Sequence, residues 1–188
     1  MSRSLCIFCG SSQRVDATYL DLAAHTGRLL AERGIRVVYG GASIGMMGVL
    51  ADAALAHGGS VLGVIPAALE ARELAHRGLT ELRVVDTMHT RKKLMADESD
   101  GFVALPGGFG TLDELFEIVT WRQLGLHGKP VSLVNHCGFY DALVTWMRHA
   151  ATHRFVPEAI ATAVRVLDGV DDLAGWVEVI PERENDLR

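Results

Sequence analysis

The chain has 188 residues, 49% of them hydrophobic and 22% charged, with a formal net charge of −5. Such a length gives one domain whose core takes in roughly 70% of the surface exposed by the unfolded chain. A mean hydropathy of +0.21 and only five prolines exclude a disordered or fibrous chain, and the acidic balance excludes the positive field that a duplex-DNA binder or a basic membrane-surface helix needs.

The first apolar run, 4–9, predicts a strand and carries Cys6 and Cys9. A three-residue offset on a strand points the two thiols to opposite faces, so both read as small core residues rather than a metal or redox pair. With Cys137 the count is odd, which builds no disulfide framework and suits a reducing compartment. The run is too short for a signal-peptide core and no run approaches a membrane span, so a cytoplasmic protein with no membrane partner is expected. A helix follows at 16–33, a strand at 35–39, a helix at 45–57 and a strand at 60–65. After an irregular connection at 67–79 come a strand at 82–86, a helix at 88–98, a strand at 101–105 and a helix at 112–124. The last elements are a strand at 131–135, a helix at 139–153, a short apolar stretch at 164–167 and a helix near 171–179. The strand runs are continuous in Val, Ile and Leu, as when both faces of a sheet are covered. Strand–helix alternation with short links predicts an α/β fold, a doubly wound, Rossmann-like parallel sheet with helices on both faces. One domain is expected over 1–180, with 181–188 a charged, frayed tail.

In such a sheet ligands bind beyond the carboxyl ends of the strands. Three glycine-rich turns open on that edge: Gly10-Ser11-Ser12, Gly40-Gly41-Ala42-Ser43, and Pro106-Gly107-Gly108-Phe109-Gly110-Thr111. Beside them the segment from Asp86 to Lys93 carries Arg91 and Lys92. Any one loop is as well explained as a tight strand-to-helix turn. Three together beside cations point to an anion, held by backbone N–H groups and helix N-termini, with Gly10, Ser11 and Gly41 among the donors. No Gly-Lys-Ser/Thr occurs, which excludes a P-loop, and the GxGxxG fingerprint is missing after the first strand. His149 and His153 stand four apart, but Ala150 occupies the place of the zincin glutamate, and no metal is expected.

The run Pro106-Gly107-Gly108-Phe109-Gly110-Thr111-Leu112-Asp113-Glu114, with Met88-His89-Thr90-Arg91-Lys92 before it, resembles the LONELY GUY family of cytokinin-activating phosphoribohydrolases. The resemblance runs from Cys9 to Gly125, and Asp113 stands where plant members commonly have Glu. It implies removal of ribose 5-phosphate from N6-substituted adenosine monophosphates, with the free base released and no cofactor. It further implies Arg91 and Glu114 as catalytic residues. Ligand contacts would come from Glu73, Lys92, Gly108, Phe109, Gly110, Thr111, Leu112, Asp113 and Thr120. Glu73 is the least constrained of these, lying in the irregular connection. The same motif occurs in molybdenum-cofactor carriers and nucleotide sensors, so a non-catalytic carrier stays open. A nicotinamide oxidoreductase has only the general architecture in its favour. Many relatives carry the label "lysine decarboxylase", which nothing in these residues supports.

Glycosidic cleavage builds positive charge on the ribose and needs a carboxylate near the anomeric carbon. Glu114 suits that role. It also fits a capping box, Thr111-Leu112-Asp113-Glu114, in which it would reach back to the cap's N–H. Met47 and Met95 are candidates for the pocket floor that reads the adenine substituent. On helix 112–124 the residues Leu112, Leu115, Phe116 and Val119 fall on one face, expected to meet the sheet. Ile118, Trp121 and Leu124 then project elsewhere, and helix 45–57 is apolar nearly all round. A homodimer through these faces is expected, which the resemblance favours. Cover by the chain's own C-terminal segment is the alternative.

Overall fold

The computed structural model describes residues 3–70 and 74–181; Glu73 and the tail from 182 onward lie outside them. Ser4–Phe8 forms strand β1, followed by helix α1 (Ala17–Glu32), β2 (Arg36–Tyr39), α2 (Gly45–Ala56), β3 (Val61–Pro66), and a single turn, α3 (Ala67–Glu70). Then come β4 (Glu81–Val85), α4 (Met88–Asp97), β5 (Gly101–Ala104), α5 (Phe109–Gln123), β6 (Val131–Val134), α6 (Asp141–Thr152) and a short α7 (Glu158–Ala161). Strand β7 (Val164–Leu167) and helix α8 (Val170–Glu178) end the described fold. The seven strands form one parallel sheet in the order β4-β3-β2-β1-β5-β6-β7. The apolar stretch at 164–167 is therefore a seventh strand, on the edge beside β6.

Two cores flank the sheet. On one face Leu22, Ala23 and Leu30 of α1, Met46, Leu50 and Ala54 of α2, and Leu173 and Val177 of α8 pack against Leu5, Ile7, Val37 and Tyr39. On the other, Met95, Leu115, Ile118 and Met147 pack against Phe8, Val38, Leu62 and Phe102. Cys9 belongs to the first core and Cys6 to the second, as strand alternation requires. Helices α1 and α2 touch through backbone. A Cβ at Gly27 would lie 2.2 Å from the Leu50 carbonyl oxygen and 3.0 Å from the Ala54 nitrogen, so only glycine fits there.

Three expectations are corrected. The apolar all-round pattern of α2 is accounted for within the chain, because Met47, Val49 and Leu55 also pack into the first core. In α5 the buried residues are Thr111, Glu114, Leu115 and Ile118, so the helix is turned one residue from the expected stripe. Ile118 is core, while Leu112, Phe116 and Val119 are only half-buried. The turn arises because Thr111 and Glu114, polar in sequence, face inward at the ligand edge. Met95 is likewise core, 1% exposed in the second cluster, and is not part of the lining at the ligand edge.

Candidate active site

The sheet order reverses direction between β1 and β5, so the loops following those strands part above the sheet and leave a crevice. The crevice opens into a cavity of about 700 Å³. The turns after β1 and β5 are stitched together by the Gly10 N–H, which donates to the Pro106 carbonyl at 3.1 Å. A Cβ on Gly107 would meet the Thr111 hydroxyl at 2.1 Å and the Gly10 nitrogen at 3.0 Å, so this glycine serves the close approach of the two loops. Gly108 and Gly110 have open space where a Cβ would stand. Both line the cavity at the N-terminus of α5, where free N–H groups and the helix dipole favour an anion.

Arg91 and Glu114 meet inside the cavity. Thr87 caps α4, its hydroxyl accepting from the Thr90 N–H at 3.1 Å, and this fixes the first turn from which Arg91 projects. The Arg91 Nε donates to the Val64 carbonyl at 3.1 Å, and its Nη1 donates to Glu114 Oε1 at 2.9 Å. Both side chains are nearly buried, at 7% and 5% exposure. Gly40 makes room for the guanidinium, since a Cβ there would lie 2.0 Å from Nη2. Burial pushes the Glu114 carboxyl above the ordinary glutamate value, and the charge of Arg91 pulls it part of the way back. The capping box does not form. The cap of α5 is Gly108, with no side-chain cap bond, and Glu114 turns to Arg91 instead.

The structure brings together Gly10, Ser11, Gly108, Phe109, Gly110 and Thr111 with this pair around one cavity. Gly41 lies just behind the lining, in the left-handed region at φ +76°, where a Cβ would press on Val64 and Ile65; its neighbours Gly40 and Ala42 face the cavity. Lys92, Leu112, Asp113 and Thr120 are not part of the lining. Lys92 pairs with Asp113 at 3.2 Å and Glu117 at 3.0 Å. Leu112, Asp113 and Thr120 instead line a groove on the outer side of α5 with Phe109, Phe116 and Trp121. Sequence reading placed the Gly10-Ser11-Ser12 turn on this edge but missed Arg14, which follows it in the lining, and the aromatic wall of Tyr19 and Phe139, in edge contact at 5.5 Å. A cation four residues past the first loop's glycine was a usable signal for Arg14; nothing local marked Phe139. Cys9 also lines the cavity, but burial and then the Glu114 charge push its thiol far up, which removes it as a nucleophile.

A family model described as "Possible lysine decarboxylase" matches residues 47–176. A cytokinin riboside 5′-monophosphate phosphoribohydrolase from Rhodococcoides fascians is 47% identical over 170 residues, 90% of this chain and 86% of that one. The chain belongs to the cytokinin riboside 5′-monophosphate phosphoribohydrolase family. A member from Arabidopsis thaliana is 43% identical over 180 residues, 96% of this chain and 83% of its own. Among solved structures, the molybdenum cofactor binding protein of Rippkaea orientalis superposes with a TM-score of 0.74 at 20% identity, covering 96% of this chain and 98% of that one. The molybdenum cofactor carrier protein of Chlamydomonas reinhardtii gives 0.73 at 19%. At that identity the likeness shows the fold. The decarboxylase wording attached to the family finds no counterpart in the cavity, where no lysine among the described residues is placed to carry a Schiff base.

Gly108→Val separates the two uses of glycine in this loop. With open space around the added side chain, the variant folds with a native far-UV spectrum, while the side chain stands where an anion would approach the backbone. KM for a nucleoside monophosphate rises about tenfold or more in steady-state assays, the scale of one lost charge-assisted hydrogen bond. A variant with unchanged KM removes the anion cradle from this loop.

Proposed function

We propose that this protein hydrolyses the N-glycosidic bond of N6-substituted adenosine 5′-monophosphates, releasing the free base and ribose 5-phosphate. The observation that carries the reading is the buried Arg91–Glu114 pair at the mouth of the glycine loops, in a chain 47% identical to a protein named for this reaction. The phosphate lies on the N–H groups of Gly108, Gly110 and Thr111, with Gly10, Ser11 and Arg14 on its other side. Glu114 stands one turn into α5, beside the ribose. Its carboxylate offsets the cationic character at the anomeric carbon and orients the attacking water as the bond to the base breaks. Arg91 holds Glu114 in place and offers its remaining Nη N–H groups to the ribose phosphate. The remainder of the cavity is largely apolar and receives the base. Release of base from the monophosphate but not from the matching nucleoside, read by product identification, tests the reading. Equal turnover of the two sinks it.

The same reading includes a homodimer built on the outer face of α5. Support comes from Phe109, 94% exposed, and from the groove beside it, where Leu112, Phe116 and Trp121 stay half-buried although Leu112 and Trp121 also touch the second core. The described C-terminal segment covers this face only in part: Phe116 meets Trp146 of α6 edge to face, while Leu173 and Val177 of α8 pack into the core beside α1. Lys92, Leu112, Asp113 and Thr120 then belong to the border shared by two copies, next to both glycine loops. Trp121→Glu is expected to give monomers by light scattering and to lose most activity with them, since a charge buried at an interface is costly and aromatic anchors dominate such contacts. Wild-type monomers at micromolar concentration rule the dimer out. The reading places the enzyme in the cytoplasm, which the free, exposed Cys137 suits. No described helix is long and apolar enough to cross a membrane.

A further inference from the structure

The cavity lining is of two chemical kinds. Around the Arg91–Glu114 pair it includes the polar Ser11, Ser12 and Arg14 and the apolar Met47, Ile65, Leu69 and Leu74. Leu74 reaches the wall from a segment that joins no sheet. A two-residue antiparallel bridge, Ala42 with Ala75, ties it to the loop after β2. In that bridge the Ser43 N–H donates to the Leu74 carbonyl at 2.8 Å, and the His76 N–H donates to the Gly41 carbonyl at 2.9 Å.

So short a bridge gains few bonds for the backbone it must order. A side chain supplies the rest. The Gly78 N–H donates to His76 Nδ1 at 3.1 Å, so Nδ1 is bare and the ring hydrogen sits on Nε2. That Nε2–H donates to Asp52 Oδ1 at 2.8 Å. Asp52 is the one charged residue of α2, a helix already locked against α1. The His76 side chain is 12% exposed, a low figure for a histidine outside the core.

We propose that His76 is a positioning residue for substrate choice. Bonded to Asp52, it clamps residues 74–76 onto the loop after β2 and fixes Leu74 as the wall that selects an apolar substituent on N6 of adenine. This rests on the function proposed above, and the plain adenosine monophosphate, which has nothing to place against Leu74, serves as the internal control.

The test compares adenosine 5′-monophosphate with its analogue carrying a five-carbon alkyl group on N6. In His76→Ala, KM for the alkyl analogue rises about tenfold while KM for the plain nucleotide changes less than about twofold, the scale set by a few methylenes in an apolar pocket. The kcat of both stays within about twofold, because neither Arg91 nor Glu114 is touched. His76→Gln offers an amide N–H to Asp52 and a carbonyl oxygen to Gly78, and restores the selectivity. Leu74→Ala reproduces the loss. Should His76→Ala fail to fold, Asp52→Ala, at a 70% exposed side chain, carries the same comparison. Equal rises in KM for both substrates, or a fall in kcat at an unchanged KM ratio, overturn the proposal. A wild-type protein releasing base from neither substrate overturns the underlying reaction instead.

Discussion

Glu114→Gln lowers kcat by about three orders of magnitude while KM moves by less than about threefold, the scale seen when a charge that acts only in the transition state is removed. Gln keeps the shape of the side chain and an acceptor for Arg91, so the cavity stays formed and the far-UV spectrum native. What it lacks is the negative charge that an oxocarbenium-like ribose requires. The melting temperature also falls, because Arg91 is left as a nearly buried cation without its counter-ion. The pH profile gives a second reading of the same group. Burial raises the Glu114 carboxyl, so the acid limb of kcat/KM in the wild type lies above the ordinary glutamate range, and in the Gln variant that limb disappears. Single-turnover assays with the monophosphate measure the effect, and near wild-type turnover would remove Glu114 from the chemistry.

Arg91→Ala abolishes measurable turnover, and Arg91→Lys recovers little, remaining about a hundredfold below wild type by the loss of two hydrogen bonds in fixed directions, one of them charge-assisted. The reason is geometric. The guanidinium spends Nε on the Val64 carbonyl and Nη1 on Glu114 at once, while Nη2 lies over Gly40. A lysine ammonium is a point donor at the end of a flexible stem and cannot hold two such fixed directions together. Full activity in Arg91→Lys, with native KM, would show that a single charge suffices there.

The doubly wound sheet was legible because its strands are unbroken Val, Ile and Leu runs between helical patterns, and that pattern has few other solutions. The glycine loops were legible for the same reason, since topology alone puts them on one edge. The rotation of α5 was not. Periodicity treats Thr111 and Glu114 as surface, and the helix that buries them is identical in period to the one expected, displaced by a single residue. A functional carboxylate facing inward is the case in which hydrophobic patterning misleads. The apolar surround of α2 misled in the other direction: its apolar side chains pack into the first core with α1 and its exposed side carries Asp52, so its composition alone is no sign of a partner chain. The placement of Lys92, Asp113 and Thr120 away from the cavity was equally out of reach, because adjacency in a motif does not say which side of a helix each residue takes. Glu73 lies outside the described residues.

The glycine contact between α1 and α2 bears on how the cavity can move. Backbone meets backbone at Gly27, the Met46 N–H donates to the Gly10 carbonyl at 3.1 Å, and a Cβ on Gly45 would fall 2.6 Å from the Ser11 carbonyl carbon. The loops after β1 and β2 are therefore welded into one stiff body and have no hinge between them. A ligand arriving there meets a surface already in shape and forfeits little entropy in ordering it. Adaptation to ligands of different size falls to the rotamers of Tyr19 and Phe139, while the floor on which they stand stays still.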